Sequence, residues 1–161
     1  MSSIQEDGRA RRRAVTGIKD SLRDLRAQLS LLNHRVSTRL GLRDVDLDCL
    51  ELVQKQGPLT PSALARLAGL HPATLTGVLD RLQRAGWITR SRDPDGPDRR
   101  AVLVHAAKDR AADVYALYAG MNTAMDDLLA GYSDGELALL ADFLERTTRA
   151  GRVATEDLTA D

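Results

Sequence analysis

Between positions 81 and 100 the chain carries six arginines (Arg81, Arg84, Arg90, Arg92, Arg99, Arg100) and no lysine. The carboxylates in that window are Asp93, Asp95 and Asp98, all within DPDGPDRRAVLV, where Pro94, Gly96 and Pro97 shape a turn and Arg99-Arg100 lead out of it into an apolar run. A guanidinium is planar and presents its donors as a rigid fork that fits phosphates and guanine edges. This is the chemistry of anion recognition, not of bond making. Nothing else in the chain suggests catalysis. His34, His71 and His105 are scattered, and no Cys/His/carboxylate spacing suggests a metal. No Gly-rich phosphate loop occurs, and no Ser, His and Asp share the spacing of a nucleophile and its base. No catalytic residue, cofactor or metal is assigned. The single cysteine, Cys49, permits no intrachain disulfide and reads as a buried, inert thiol.

The 161 residues balance 23 basic against 23 acidic side chains, so net charge alone does not point to nucleic acid. The balance hides segregation: the arginines gather in the middle, and Asp126, Asp127, Asp134, Glu136, Asp142 and Glu145 make the last third acidic. Aromatics are only 3% of residues, so the core must be mostly Leu, Val and Ala. The polar start MSSIQEDGRARRR is unlike a signal peptide, and no apolar run approaches the ~20 residues of a membrane span. The expected location is cytoplasmic, with no membrane partner.

Which elements position the arginines follows from periodicity. Ile18, Leu22, Leu25, Leu29, Leu32 and Val36 are spaced 4, 3, 4, 3, 4, a heptad stripe that requires a partner helix. Gly41 stops that helix. Leu47, Leu50 and Val53 mark a second, capped by Asp44 or Asp46 and ended by Gly57-Pro58. Thr60-Pro61 opens a third with Leu64 and Leu67 inward, and Gly69 breaks it. Pro72 starts a fourth with Leu75, Leu79 and Leu82 inward, closed by Gly86. Trp87-Ile88 and Ala101 to Val104 read as two strands around the arginine-bearing turn. A long helix follows His105, striped by Val114, Tyr118, Met121, Met125 and Leu128. Ser133 and Glu136 form a capping box that opens a last helix with Leu137, Leu140 and Leu144.

Two short helices with a tight turn, then a hairpin, make a winged helix-turn-helix, whose second helix enters the major groove of DNA. A hairpin so placed reaches the neighbouring minor groove, where arginine exploits the negative potential. Asp98 is expected to position a nearby arginine. The stretch TPSALARLAGLHPATLTGVLDRLQRAGWITRSRDPDGPDRRAVLV resembles the DNA-binding core of the MarR family of bacterial transcriptional regulators, and with the flanking helices the resemblance spans roughly Lys19 to Arg149.

The resemblance implies a mainly α fold with a small β-hairpin wing: a winged helix-turn-helix flanked by N- and C-terminal dimerisation helices. It divides the chain into a flexible basic arm (1–13), a dimerisation helix (14–43), the winged domain (44–105), further dimerisation helices (106–148) and a flexible tail (149–161). It implies a homodimer on a palindromic operator in double-stranded DNA, usually a repressor, released by a small-molecule effector. By the same resemblance Ala73, Thr74, Thr76, Gly77 and Arg81 face the groove, Thr60 and Ser62 meet phosphate, and Asp98, Arg99 and Arg100 form the wing. The sequence departs from the pattern at Gly77, where relatives often carry Lys or Arg, at His71, where a better cap is common, and at LVHAAKD, 103–109. The rival reading is a winged helix that has lost DNA and holds a protein partner; Gly77 and the zero net charge speak for it.

Overall fold

Helix α1 (Ser2–Leu40) is continuous for 39 residues. The computed structural model describes the backbone of residues 2–92 and 101–159 and the side chains of 7–92 and 101–158. The basic segment expected to be a flexible arm is therefore helical. The Arg-rich segment lacks an apolar stripe, but extending a nucleated helix needs only residues of good propensity, and Ala, Arg, Gln and Glu are such residues. Gly41, at φ 68°, ends α1 as expected.

Helix α2 (Asp44–Gln56) starts differently from the expectation. Its cap is Arg43, whose carbonyl accepts from the amides of Asp46 and Leu47, both at 3.0 Å, with no side-chain cap. Both aspartates are engaged elsewhere. Asp44 accepts from the buried Ser37 hydroxyl of α1 and lies 3.1 Å from His34 Nδ1. Those two partners hold its carboxyl below the usual range, the Ser37 bond contributing most.

Helices α3 (Pro61–Ala68) and α4 (Pro72–Arg84) follow their local signals. Thr60 Oγ1 accepts from the Ala63 amide at 3.2 Å, and His71 Nδ1 caps α4 by accepting from Ala73 N at 3.3 Å. Gly69 takes the left-handed conformation that closes α3. Leu67, expected inward, is 44% exposed; Leu64 and Ala65 bury that side of α3 instead. Leu47, Leu50, Val53, Leu64, Leu75, Val78, Leu79 and Leu82 form the core where α2, α3 and α4 meet.

Strands β1 (Ile88–Arg92) and β2 (Val102–Ala106) pair antiparallel, from Ile88 opposite Ala106 to Arg92 opposite Val102. Both start one residue later than expected, and they end four and two residues later. Trp87 still belongs to the turn that closes α4, since its amide donates to Leu82 O at 2.9 Å. Leu59 bridges Val104 through two backbone hydrogen bonds, tying the segment before α3 to the hairpin. A 3-10 turn (Lys108–Arg110) precedes α5 (Ala111–Leu129), so the fifth helix begins later than His105 suggests.

The chain divides into two compact units, Met1–Leu117 and Tyr118–Asp161, with the boundary inside α5. In the second, Ser133 and Glu136 form the expected capping box: Ser133 N and Oγ donate to the Glu136 carboxylate at 2.8 and 2.7 Å. These bonds hold the Glu136 carboxyl below its usual range. Helix α6 (Asp134–Thr159) runs through the segment expected to be a flexible tail, for the reason that extends α1: a capped helix continues while no Pro stops it. Leu139, Phe143, Leu144 and Val153 on α6 are exposed.

Candidate nucleic-acid interface

Helix α4 buries Leu75, Val78, Leu79 and Leu82 and leaves the opposite side open. At 100° per residue that open side carries Ala73, Thr76, Gly77, Asp80, Arg81 and Arg84, with Thr74 at its edge. Ala73, Thr74 and Thr76 are exposed and Gly77 partly so. The Thr76 hydroxyl donates to Pro72 O at 3.1 Å. Ser62 is exposed at the start of α3, its Oγ 3.2 Å from Thr60 Oγ1, which already serves as the cap. Free amides at such a helix start suit an oxyanion.

The hairpin adds cations beside α4. Arg90 Nη2 donates to Asp80 Oδ1 at 2.6 Å, so β1 is pinned to the open side of α4. Arg92 is exposed at the last described pair of the hairpin. Asp98, Arg99 and Arg100 lie outside the described residues. Pro61, Thr76, Leu79, Arg90, Arg92 and Val102 line a cleft of about 350 Å³ between α3, α4 and the hairpin. At the root of the wing Trp87 is buried, and the Arg110 guanidinium stacks 3.5 Å from its ring centroid while donating to Ala85 O at 2.7 Å.

Arg81 is less free than the other candidates. Its Nε and Nη2 donate to the two oxygens of Asp46 at 3.0 and 2.6 Å, a bidentate pair between α4 and α2. Asp46 is 2% exposed. The carboxylate holds the guanidinium more firmly charged than usual. Sequence reasoning placed Arg81 at the interface and missed its partner. A signal was present: Asp46 stands four residues before Leu50 and seven before Val53, on the buried stripe of α2, where a carboxylate needs a cation.

Cys49 is fully buried, and burial, with Asp48 and Asp46 adding to it, pushes its thiol up to about 11. Thiolate is the reactive form. At pH 8 a rise from 9.0 to about 11 leaves roughly a hundredfold less thiolate. Iodoacetamide should therefore leave the folded protein unlabelled at times when the urea-unfolded chain is fully labelled; equal rates would refute the buried, inert thiol. Among the described residues no group of His, Cys, Asp or Glu is arranged to hold a metal ion, and no helix is long and apolar enough to cross a membrane.

Two helices at a tight turn, the second with an open polar side, and an arginine-bearing hairpin pinned against it define a winged helix-turn-helix. The MarR family model matches residues 42–102. The uncharacterized HTH-type transcriptional regulator YcgE of Bacillus subtilis is 29% identical over 122 residues, 76% of this chain and 78% of that protein. The HTH-type transcriptional repressor YetL of the same organism is 26% identical over 132 residues, 78% of each. A MarR family protein from Bacillus stearothermophilus has the same fold, with TM-score 0.66 at 20% identity over 87% of this chain and 96% of that one. The match to the MarR family thus lies in the winged segment, residues 42–102.

Proposed function

We propose that the protein is a sequence-specific, DNA-binding transcriptional regulator, a repressor in its simplest form, acting as a homodimer on a palindromic operator. The observation that carries the reading is the open side of α4 beside a hairpin rich in arginine, in a family whose relatives are named as transcriptional regulators. Ala73, Thr74, Thr76, Gly77 and Arg81 would face base edges, Thr60 and Ser62 phosphate, and Arg99 and Arg100 the minor groove beside Asp98. The homodimer is supported by α1, where Ile18, Leu25 and Leu29 of the heptad stripe are exposed in the single chain. A two-fold dimer sets its recognition helices about 34–36 Å apart, one turn of DNA. Arg90 and Arg92 make the wing-root cleft suitable for an anionic effector, and a ligand seated there would compete with DNA for the same surface.

The test is a titration against the DNA flanking the protein's own gene at 50 and 200 mM salt, with Arg99→Ala/Arg100→Ala beside the wild type. A dimer neutralising about 6–10 phosphates should lose roughly 10³–10⁵ in affinity between the two salts. Each lost arginine contact should cost about 1–3 kcal/mol. Unchanged affinity in the double variant would refute the wing assignment. The rival, a protein-binding module, is favoured by the zero net charge and by Gly77; a DNA affinity indifferent to salt would decide for it.

A further inference from the structure

Asp46 takes one edge of the Arg81 guanidinium, the Nε–Nη2 edge, and leaves the other. The remaining edge presents an N–H of Nη1 and the outer N–H of Nη2, two parallel donors. Among the described residues Nη1 has no hydrogen-bond partner. A Cβ placed on Gly77 would lie 3.4 Å from Nη1, so this edge passes over the one position on the open side of α4 that has no side chain. Asp46 is almost wholly buried, whereas the Arg81 side chain keeps 30% of its surface. The clamp is therefore anchored in the core and open at the surface.

Resting on the DNA-binding reading, we propose that Arg81 reads a guanine in the major groove through its free edge, and that Asp46 is the positioning residue that holds it there. Guanine presents two acceptors, O6 and N7, to two parallel donors; adenine presents one acceptor and one donor and is rejected. A phosphate is the poorer partner. The Asp46 charge offsets that of Arg81, which weakens attraction at a distance but leaves short, directional hydrogen bonds intact. The clamp also fixes the side-chain torsions before DNA arrives, so less rotamer freedom is lost on binding. Gly77 keeps the approach open.

The experiment is selection from a random-sequence duplex pool by the full-length wild type, Arg81→Lys and Asp46→Asn, each confirmed folded by its thermal transition. Arg81→Lys keeps the charge opposite Asp46 and removes the second edge. The wild type should enrich one fixed guanine per half-site. Both variants should lose that preference by roughly tenfold or more while the other positions keep theirs. An unchanged consensus with Arg81→Lys overturns the guanine assignment and leaves DNA binding standing. A preference kept by Asp46→Asn overturns the positioning role. A loss spread evenly over all positions overturns the inference too, since it marks a scaffold or a phosphate contact. Failure of the wild type to enrich any sequence overturns the DNA-binding reading together with this one.

Discussion

Arg81→Ala is expected to lower the stability of the folded protein by about 3 kcal/mol, the low end of what removing one partner of a buried ion pair costs. The loss comes from what remains. Asp46, 2% exposed, would keep a carboxylate among Leu47, Leu50 and Cys49 with its bidentate partner gone. The low end applies because Arg81 is partly exposed, which lets water approach the vacated edge. Since domains of this size hold only about 5–15 kcal/mol, the urea midpoint should fall by a large fraction, at fixed protein concentration and nearly constant slope. Replacing both partners by apolar residues, Arg81→Met with Asp46→Leu, should restore most of the loss, because the pair itself contributes little beyond a hydrophobic substitute. A single variant within about 0.5 kcal/mol of wild type would show that the pair behaves as a surface one.

The second large effect concerns α1. The protein should sediment at twice its 17.6 kDa chain mass at micromolar concentration. Leu25→Asp with Leu29→Asp should shift it to the single chain. Both leucines are 43% exposed in the single chain, so each has roughly half its surface still to bury, about 1 kcal/mol apiece. An unpaired carboxylate in an apolar seam costs more again. Together they should weaken self-association by about 3 kcal/mol or more, over a hundredfold in dissociation constant. A wild type that is monomeric at micromolar concentration would rule out the dimeric architecture, and with it the palindromic operator.

The two effects have different physical origins. The stripe on α1 is written in the spacing of Ile18, Leu25 and Leu29, and the structure adds that those residues stay exposed in the single chain. The Arg81 clamp joins positions 35 residues apart: the stripe of α2 marks Asp46 as a carboxylate in need of a cation, and no periodicity says which one.

The sequence by itself determined what depends on neighbours along the chain. Thr60-Pro61 starts α3, Gly57 and Gly69 end helices, Ser133 and Glu136 cap α6, and the 3.6-residue period sorts α2 and α4 into buried and open sides. Each of these rests on a backbone donor, a φ angle or a helical turn within four residues, so local chemistry is sufficient. Tertiary structure alone decided the rest. An aspartate near a helix start serves equally as cap, ion-pair partner or acceptor for a neighbouring helix, and only folding placed Ser37 against Asp44 and Arg81 against Asp46. Strand limits were set by pairing, including the bridge from Leu59 to Val104, since a strand's ends depend on where its partner's hydrogen bonds run out. The ends of α1 and α6 went further than their apolar pattern, because burial drives packing while propensity and the absence of a breaker carry a nucleated helix on.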